Sequence, residues 1–124
     1  MKQISTDNAP AAIGPYCQAA VHNGFVFTSG QIPLDPATGA IVGDTIEDQT
    51  HRVCQNLQAV LAAAGSDLTK VLKTTCFLAN MDDFAAFNTV YAQYFTGKPA
   101  RSCVAVKTLP KNVLVEVECV AIAE

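Results

Sequence analysis

The chain has 124 residues, of which 50% are apolar and 15% are charged, and its formal net charge is −3. This length suits a single domain, residues 1–124, and the apolar, weakly charged composition excludes a disordered chain and favours an oligomer. The acidic balance argues against a nucleic-acid partner. The lack of an 18-residue apolar run and of a signal-peptide core predicts a cytoplasmic protein without a membrane partner.

Turn residues divide the first third of the chain into a hairpin and a loop. The pair Asn23-Gly24 lies between apolar stretches at residues 17–21 and 25–29, which predicts a β-hairpin. Gly14-Pro15 marks an earlier turn. Residues 33–43 hold two Pro and two Gly, so they are predicted to form a loop.

The next segment has the periodicity of an amphipathic helix. Apolar residues recur every three or four positions from Ile46 to Ala64. Asp44 or Thr45 can cap its start, and Gly65 ends it. The predicted polar face carries Asp48, Gln49, Arg52, Gln55 and Gln58.

The second half alternates strands with one more helix. Residues 71–80 are β-branched and apolar, which predicts a strand. Asp82 or Asp83 is expected to cap a helix, and Gly97 and Pro99 stop it. One side of that helix is aromatic, with Phe84, Phe87, Tyr91 and Phe95. A short strand at 102–106, a turn at 109–112 and a long strand at 113–123 complete the prediction.

The predicted element order is β-β-α-β-α-β-β, with room for one further short strand at the start. This order favours an α+β fold with both helices on one face of a single sheet. The last strand alternates two sets of side chains, and both sets are largely apolar. Such a strand is covered on both faces, and a neighbouring subunit is the simplest cover for the face without helices.

Three charged residues stand out against this apolar background. Glu116 and Glu118 share one face of the final strand. A carboxylate at such a position either lies at the solvent-exposed rim of the sheet or is buried with a partner. Arg101 opens the strand at 102–106, and its planar fork suits a carboxylate. Two interpretations remain open for Arg101: an internal ion pair with one of the two Glu residues, or a ligand contact.

Other candidate residues give weaker signals. The five Cys residues are widely spaced, so we expect reduced thiols rather than a metal site or disulfides, and Cys103 has no evident base. His22 and His51 are expected on the surface. Tyr16 follows a rigid turn, Ser29-Gly30-Gln31 ends a strand where a ligand can approach the backbone, and Asn88 can reach a site from the second helix.

Five motifs occur in chain order: Ala11-Ala12-Ile13-Gly14-Pro15-Tyr16-x-Gln18, Phe27-Thr28-Ser29-Gly30-Gln31-Ile32-Pro33, Pro99-Ala100-Arg101-Ser102-Cys103, Leu109-Pro110-Lys111 and Val115-Glu116-Val117-Glu118. Together they closely resemble the reactive intermediate deaminase (Rid) family, in its RidA branch, also called the YjgF-type or translation inhibitor L-PSP family. The resemblance runs essentially end to end. One departure is a short link before Arg101, residues 96–99, which borders the site and bears on substrate range.

The resemblance implies a chorismate-mutase-like α+β fold and a homotrimer whose sheets form a central β-barrel, with clefts between subunits. It implies hydrolysis of 2-imino acids, such as 2-iminobutanoate and 2-iminopropanoate, to 2-keto acid and ammonia, without a cofactor or metal. These imines derive from enamines that pyridoxal-phosphate dehydratases release.

The resemblance also implies a role for each matching residue. Arg101 would bind the substrate carboxylate, and Glu116 would orient or deprotonate the attacking water. The Cys103 backbone would line the site near that water. Tyr16 would come from the adjacent subunit, and the pocket would be shaped by Ser29, Gly30 and Asn88.

Two alternatives to this activity remain. A non-catalytic trimer that binds small carboxylates, as a regulatory module, would keep Arg101 but would not need a water-activating Glu116. An endoribonuclease or translation inhibitor is disfavoured, because the chain is acidic, has only two Arg residues and lacks a pair of histidines suited to acid/base work.

Overall fold

Six strands form one mixed sheet in the computed structural model, which describes residues 1–123. The strands lie in the order β1-β2-β3-β6-β4-β5. Their bounds are β1 Lys2–Ile4, β2 Ala19–His22, β3 Phe25–Thr28, β4 Val71–Leu78, β5 Ala100–Ala105 and β6 Val115–Ile122. Two helices, α1 Ile46–Ala63 and α2 Phe84–Tyr94, complete the predicted α+β order, and β1 is the short extra strand at the start.

The hairpin of β2 and β3 confirms the turn prediction. Asn23 and Gly24 have φ angles of 50° and 79°, the left-handed pair that a two-residue hairpin turn requires. The strands are shorter than predicted, because residues 17 and 18 precede β2 and Ser29 follows β3.

Helix α1 begins and ends where its capping residues predict. The Thr45 hydroxyl accepts a hydrogen bond from the Asp48 N–H at 3.1 Å, and Gly65 follows the helix with φ 78°. The assignment of Gln49 to the exposed polar face was wrong, because its side chain is buried. Its amide donates to the Gly43 carbonyl at 3.0 Å and accepts from the Leu114 N–H at 2.8 Å, so it ties α1 to the segment that enters β6.

Asp83 occupies the predicted N-cap position of α2, but a different residue makes the side-chain capping bond. Asn80 supplies the side-chain oxygen, which accepts from the Asp82 N–H at 2.9 Å and starts a 3₁₀ turn, Met81–Asp83, that leads into the helix. Asp83 precedes α2 without a side-chain capping bond. Asp82 and Asp83 therefore lie inside the first turn of the helical segment, and the residue that caps it, Asn80, lies two positions before Asp82.

Helix α2 is the crossover between the parallel strands β4 and β5, a βαβ unit that places α2 over β5. Strand β5 starts two residues before the predicted strand, so Arg101 lies within it, opposite Thr74 of β4. This shift matters for the site, because a side chain inside a paired strand has a fixed direction.

The two faces of the sheet differ in what covers them. Both helices pack on one face, where alternate residues of β6, Val115, Val117, Cys119 and Ala121, are buried in the core. On the other face, here called the open face, the remaining β6 side chains share the surface with Phe25 and Phe27 of β3 and with Val104 of β5, which are 43%, 50% and 46% exposed. The described part of the chain places no helix over the open face.

Within residues 1–123, neither helix has the length and apolar content needed to cross a bilayer.

Candidate functional site

Arg101 points from β5 toward α2 and is held there by three side chains. Its Nη1 donates to the Asn88 side-chain oxygen at 2.7 Å. Its guanidinium carbon lies 5.4 Å from the ring centre of Phe84 and 4.9 Å from that of Tyr91, both cation–π distances. Among residues 1–123, its polar side-chain partner is thus the neutral amide of Asn88 rather than a carboxylate. The internal ion pair considered from the sequence does not form.

Tyr91 is itself held in place by residues of the core. Its hydroxyl lies 2.7 Å from the Thr74 hydroxyl on β4, in the buried interior, and its ring stacks on Phe95 at 4.4 Å. Burial raises the pKa of the Tyr91 hydroxyl to about 12, so the group is neutral at physiological pH. Arg101 therefore lies against an uncharged aromatic face that the core holds in one orientation.

Glu116 lies on the open face and covers the backbone at Gly30. Gln31 and Val117 exchange two backbone hydrogen bonds, of 2.8 and 3.2 Å, which bring the loop after β3 against β6. A Cβ at Gly30 would lie 2.9 Å from Glu116 Cδ, so glycine is required for this close approach. Burial, and then the negative charge of Glu118, raise the pKa of Glu116 above its usual value.

The segment carrying Tyr16 is bound to the same loop. The Ser29 hydroxyl donates to the Cys17 carbonyl at 2.6 Å, and the Ser29 N–H donates to the Gln18 carbonyl at 2.9 Å. Tyr16, Gly30 and Lys111 line a groove of about 250 Å³. Tyr16 is 54% exposed and free to contact another molecule. Ser29 thus acts in this chain by holding the Tyr16 segment beside Gly30.

The candidate residues form two separate groups. Arg101, Asn88 and Cys103, the arginine half-site, lie on the helix-covered face. Glu116, Gly30, Ser29 and Tyr16, the glutamate half-site, lie on or beside the open face. Glu116 pairs with Phe77 of β4, three positions along the strand from Thr74, the partner of Arg101. One chain therefore does not bring Arg101 and Glu116 together.

The cysteines are all free. Cys54, Cys76 and Cys119 are buried, and Cys17 and Cys103 are half-buried. Burial raises the pKa of Cys103 above that of an ordinary thiol, although Arg101 opposes the shift, so the thiol is protonated at neutral pH. In the part of the chain that the structure describes, His, Cys, Asp and Glu side chains form no group that could hold a metal ion.

One histidine departs from its prediction. His22 is exposed, as expected, but His51 is half-buried between the helices, with Nδ1 2.9 Å from the Tyr94 hydroxyl. His51 and Tyr94 lie far apart in the sequence, so no local pattern predicts this contact. The packing of α1 on α2 creates it.

The sequence interpretation missed the aromatic residues around Arg101. The sequence predicts an aromatic side of the second helix that includes Phe84 and Tyr91, but does not connect it with Arg101. The available signal was their spacing: Phe84, Asn88 and Tyr91 lie four and three residues apart, so they share one stripe of α2. A stripe containing one amide among aromatic rings is suited to hold a guanidinium.

Comparison with known proteins gives one family and close relatives. The family model described as Endoribonuclease L-PSP matches residues 6–123. A Lactococcus lactis protein named "Putative regulator AldR" is 55% identical, with 98% of this chain and 97% of that protein covered. A 2-iminobutanoate/2-iminopropanoate deaminase from Salmonella typhimurium is 46% identical, with 98% and 97% covered.

A solved structure shares the fold. The crystal structure of E. coli TdcF with bound serine has a TM-score of 0.94 and 43% sequence identity, and the match covers all of both chains. The α+β architecture predicted from the sequence, one sheet with two helices on one face, is therefore confirmed by the structure and by this likeness.

Proposed function

The chain belongs to the endoribonuclease L-PSP family, the family of the reactive intermediate deaminases, and we propose that it is a hydrolytic deaminase of 2-imino acids. The substrates would be 2-iminobutanoate and 2-iminopropanoate, and the products 2-keto acid and ammonia. The observation that carries this proposal is the state of Arg101, whose guanidinium bonds a neutral amide and keeps its positive charge for a carboxylate.

The site would assemble between copies of the chain. Arg101 and Glu116 lie on opposite faces of one sheet, so a ligand that contacts both needs them from two subunits. Phe25, Phe27 and Val104 give the open face the exposed apolar surface that a subunit interface would cover. We infer a homotrimer with its open faces inside, in which Tyr16 and Glu116 of one subunit meet Arg101 of the next.

The reaction needs little beyond placement and water. A protonated imine carbon is already electrophilic, and Arg101 would fix the substrate through its carboxylate. Glu116 would take a proton from the attacking water. Its raised pKa brings it closer to neutrality, where a general base is more effective. Cys103 would contribute its backbone, since its thiol stays protonated.

An assay of imine release tests the proposal. Threonine dehydratase supplies 2-iminobutanoate, semicarbazide traps the free imine, and 2-ketobutyrate formation is followed with the purified protein. We expect faster keto-acid release at the expense of the trapped semicarbazone, and no effect from Arg101→Ala. If the folded wild-type oligomer leaves both products unchanged, the enzymatic proposal is wrong.

A carboxylate-binding regulatory module is the second candidate, and the AldR-like relative favours it. Glu116→Gln distinguishes the two functions. A deaminase would lose about 10²–10⁴-fold in kcat while still binding 2-ketobutyrate. A binding module would show the same affinity and no turnover in either form.

A further inference from the structure

A groove of about 390 Å³ runs from Arg101 along the end of α2 to Lys98. This volume lies in the range of small-molecule sites. Tyr91 and Phe95 form its wall, and the link at residues 96–99 forms its far end. The groove therefore continues the arginine half-site along α2 as far as Lys98.

The charges in this groove have one sign. The residues that line it include two cations, Lys98 and Arg101, and no acidic residue from the described part of the chain. Tyr91, the remaining titratable group, is neutral because burial raises its pKa to about 12. The whole chain carries a net charge of −3, but the lining of this groove is positively charged. A positively charged groove favours an anionic ligand.

The backbone holds Lys98 in an unusual conformation. Its φ is 52°, although Pro99 follows and favours an extended residue before it. The Lys98 N–H donates to the Phe95 carbonyl at 3.2 Å, which anchors the turn to the end of α2. A Cβ at Gly97 would lie 3.5 Å from the Thr69 carbonyl, so the link also lies against the turn before β4. Left-handed non-glycine residues that the surroundings enforce are concentrated at ligand sites.

The two cations differ in how they can act. Arg101 is fixed by Asn88, Phe84 and Tyr91, which suits the constant carboxylate of every 2-imino acid. Lys98 is exposed, and its ammonium on a flexible four-carbon stem can follow an anionic group of variable position.

We propose that the groove between Arg101 and Lys98 is a subsite for substrates with a second carboxylate, so that, among substrates of equal length, the chain favours 2-imino dicarboxylic acids of four or five carbons over monocarboxylic ones. This inference rests on the proposed function. Water adds to the C=N carbon, the tetrahedral adduct releases ammonia, and a 2-oxo dicarboxylate remains. The second carboxylate does not react and serves only for binding at Lys98.

Two five-carbon keto acids test the subsite directly. 2-Oxoglutarate and 2-oxovalerate have the same chain length and differ in the terminal carboxylate. By calorimetric titration of the intact oligomer, we expect wild type to bind 2-oxoglutarate about three- to tenfold more tightly. Lys98→Met should bring that ratio close to one. Lys98→Arg, and the exposed control Lys2→Met on β1, should keep it.

The outcomes separate this inference from the proposed function. Equal affinity for both keto acids in wild type, or an unchanged ratio in Lys98→Met, would overturn the subsite. If the intact wild-type oligomer binds neither keto acid, Arg101 is not a carboxylate-binding residue, and the proposed function itself is contradicted. The same ratio can be read kinetically, from kcat/KM for imines that an amino-acid oxidase generates from glutamate and from norvaline.

Discussion

The guanidinium of Arg101 lies 4.9 Å from the ring centre of Tyr91, a residue on the aromatic side of α2. A hydrogen bond to Thr74 and stacking on Phe95 hold that ring, so the direction of Arg101 is set by the interior of the βαβ unit. Precise placement of a binding group affects the rate strongly, because small displacements from a productive geometry are costly. Tyr91 and Phe84 are therefore positioning residues for Arg101.

Replacing Tyr91 tests this relationship. Tyr91→Phe keeps the aromatic face and loses the bond to Thr74, whereas Tyr91→Leu loses the face as well. A cation–π contact contributes about 1 kcal/mol, so we expect Tyr91→Leu to raise KM about fivefold beyond Tyr91→Phe, with a smaller change in kcat. Steady-state kinetics with the dehydratase-coupled assay measure both constants.

Thermal unfolding of the same variants provides the control. Both substitutions lose buried contacts or a buried hydrogen bond and should lower Tm. Equal KM values in Tyr91→Leu and Tyr91→Phe would show that the ring does not orient Arg101.

The charge of Glu118 should contribute to the pH dependence of catalysis. Burial, and then the charge of Glu118, raise the pKa of Glu116, and in the proposed mechanism the base form of Glu116 accepts a proton from water. Activity should therefore fall as pH drops through that raised pKa. Glu118→Gln removes the repulsion, lowers the pKa of Glu116, and should move the acidic limb of the kcat profile to lower pH. A pH–rate series on both proteins measures the shift, and a limb that stays in place or moves to higher pH would contradict the assignment.

Gly30 should tolerate alanine for folding but not for catalysis. The added Cβ would meet the Glu116 carboxyl group, which can swing aside because it ends a flexible side chain. We expect Gly30→Ala to reduce kcat about tenfold to a hundredfold through displacement of Glu116, with Tm nearly unchanged. Gly39→Ala is a contrasting control: its φ of 75° strains any side chain, so Tm should fall, but activity should stay because Gly39 lies in the exposed loop before α1, away from both half-sites. Full activity in Gly30→Ala would mean that Glu116 does not need its present position.

Mixing two inactive variants tests assembly between subunits. Arg101→Ala keeps the glutamate half-site, and Glu116→Gln keeps the arginine half-site. In the proposed trimer, reassembled from equal amounts of both variants, about a quarter of the clefts would pair two intact halves, so about a quarter of the wild-type activity should return. Size exclusion confirms that subunits have exchanged. Exchange without recovered activity would place both residues of a working site in one subunit, against the separation seen here.

The sequence by itself determined the local elements of this protein. Asn23-Gly24 fixed the hairpin and Thr45 and Gly65 bounded α1, because these residues act through their own backbone angles or hydrogen bonds a few positions away. The alternation of β6 predicted a sheet with two apolar faces and correctly placed Glu116 and Glu118 together. The five motifs also predicted the family that the comparisons confirm.

Only the tertiary structure decided how these elements combine. Strand pairing put Arg101 and Glu116 on opposite faces of the sheet, which their positions in the sequence do not predict. The α2 crossover brought Asn88, Phe84 and Tyr91 onto Arg101, and the packing of α1 buried Gln49 and partly buried His51. The physical reason is that a side chain's partners across a sheet or between helices depend on register and crossing geometry, which no local residue pattern encodes.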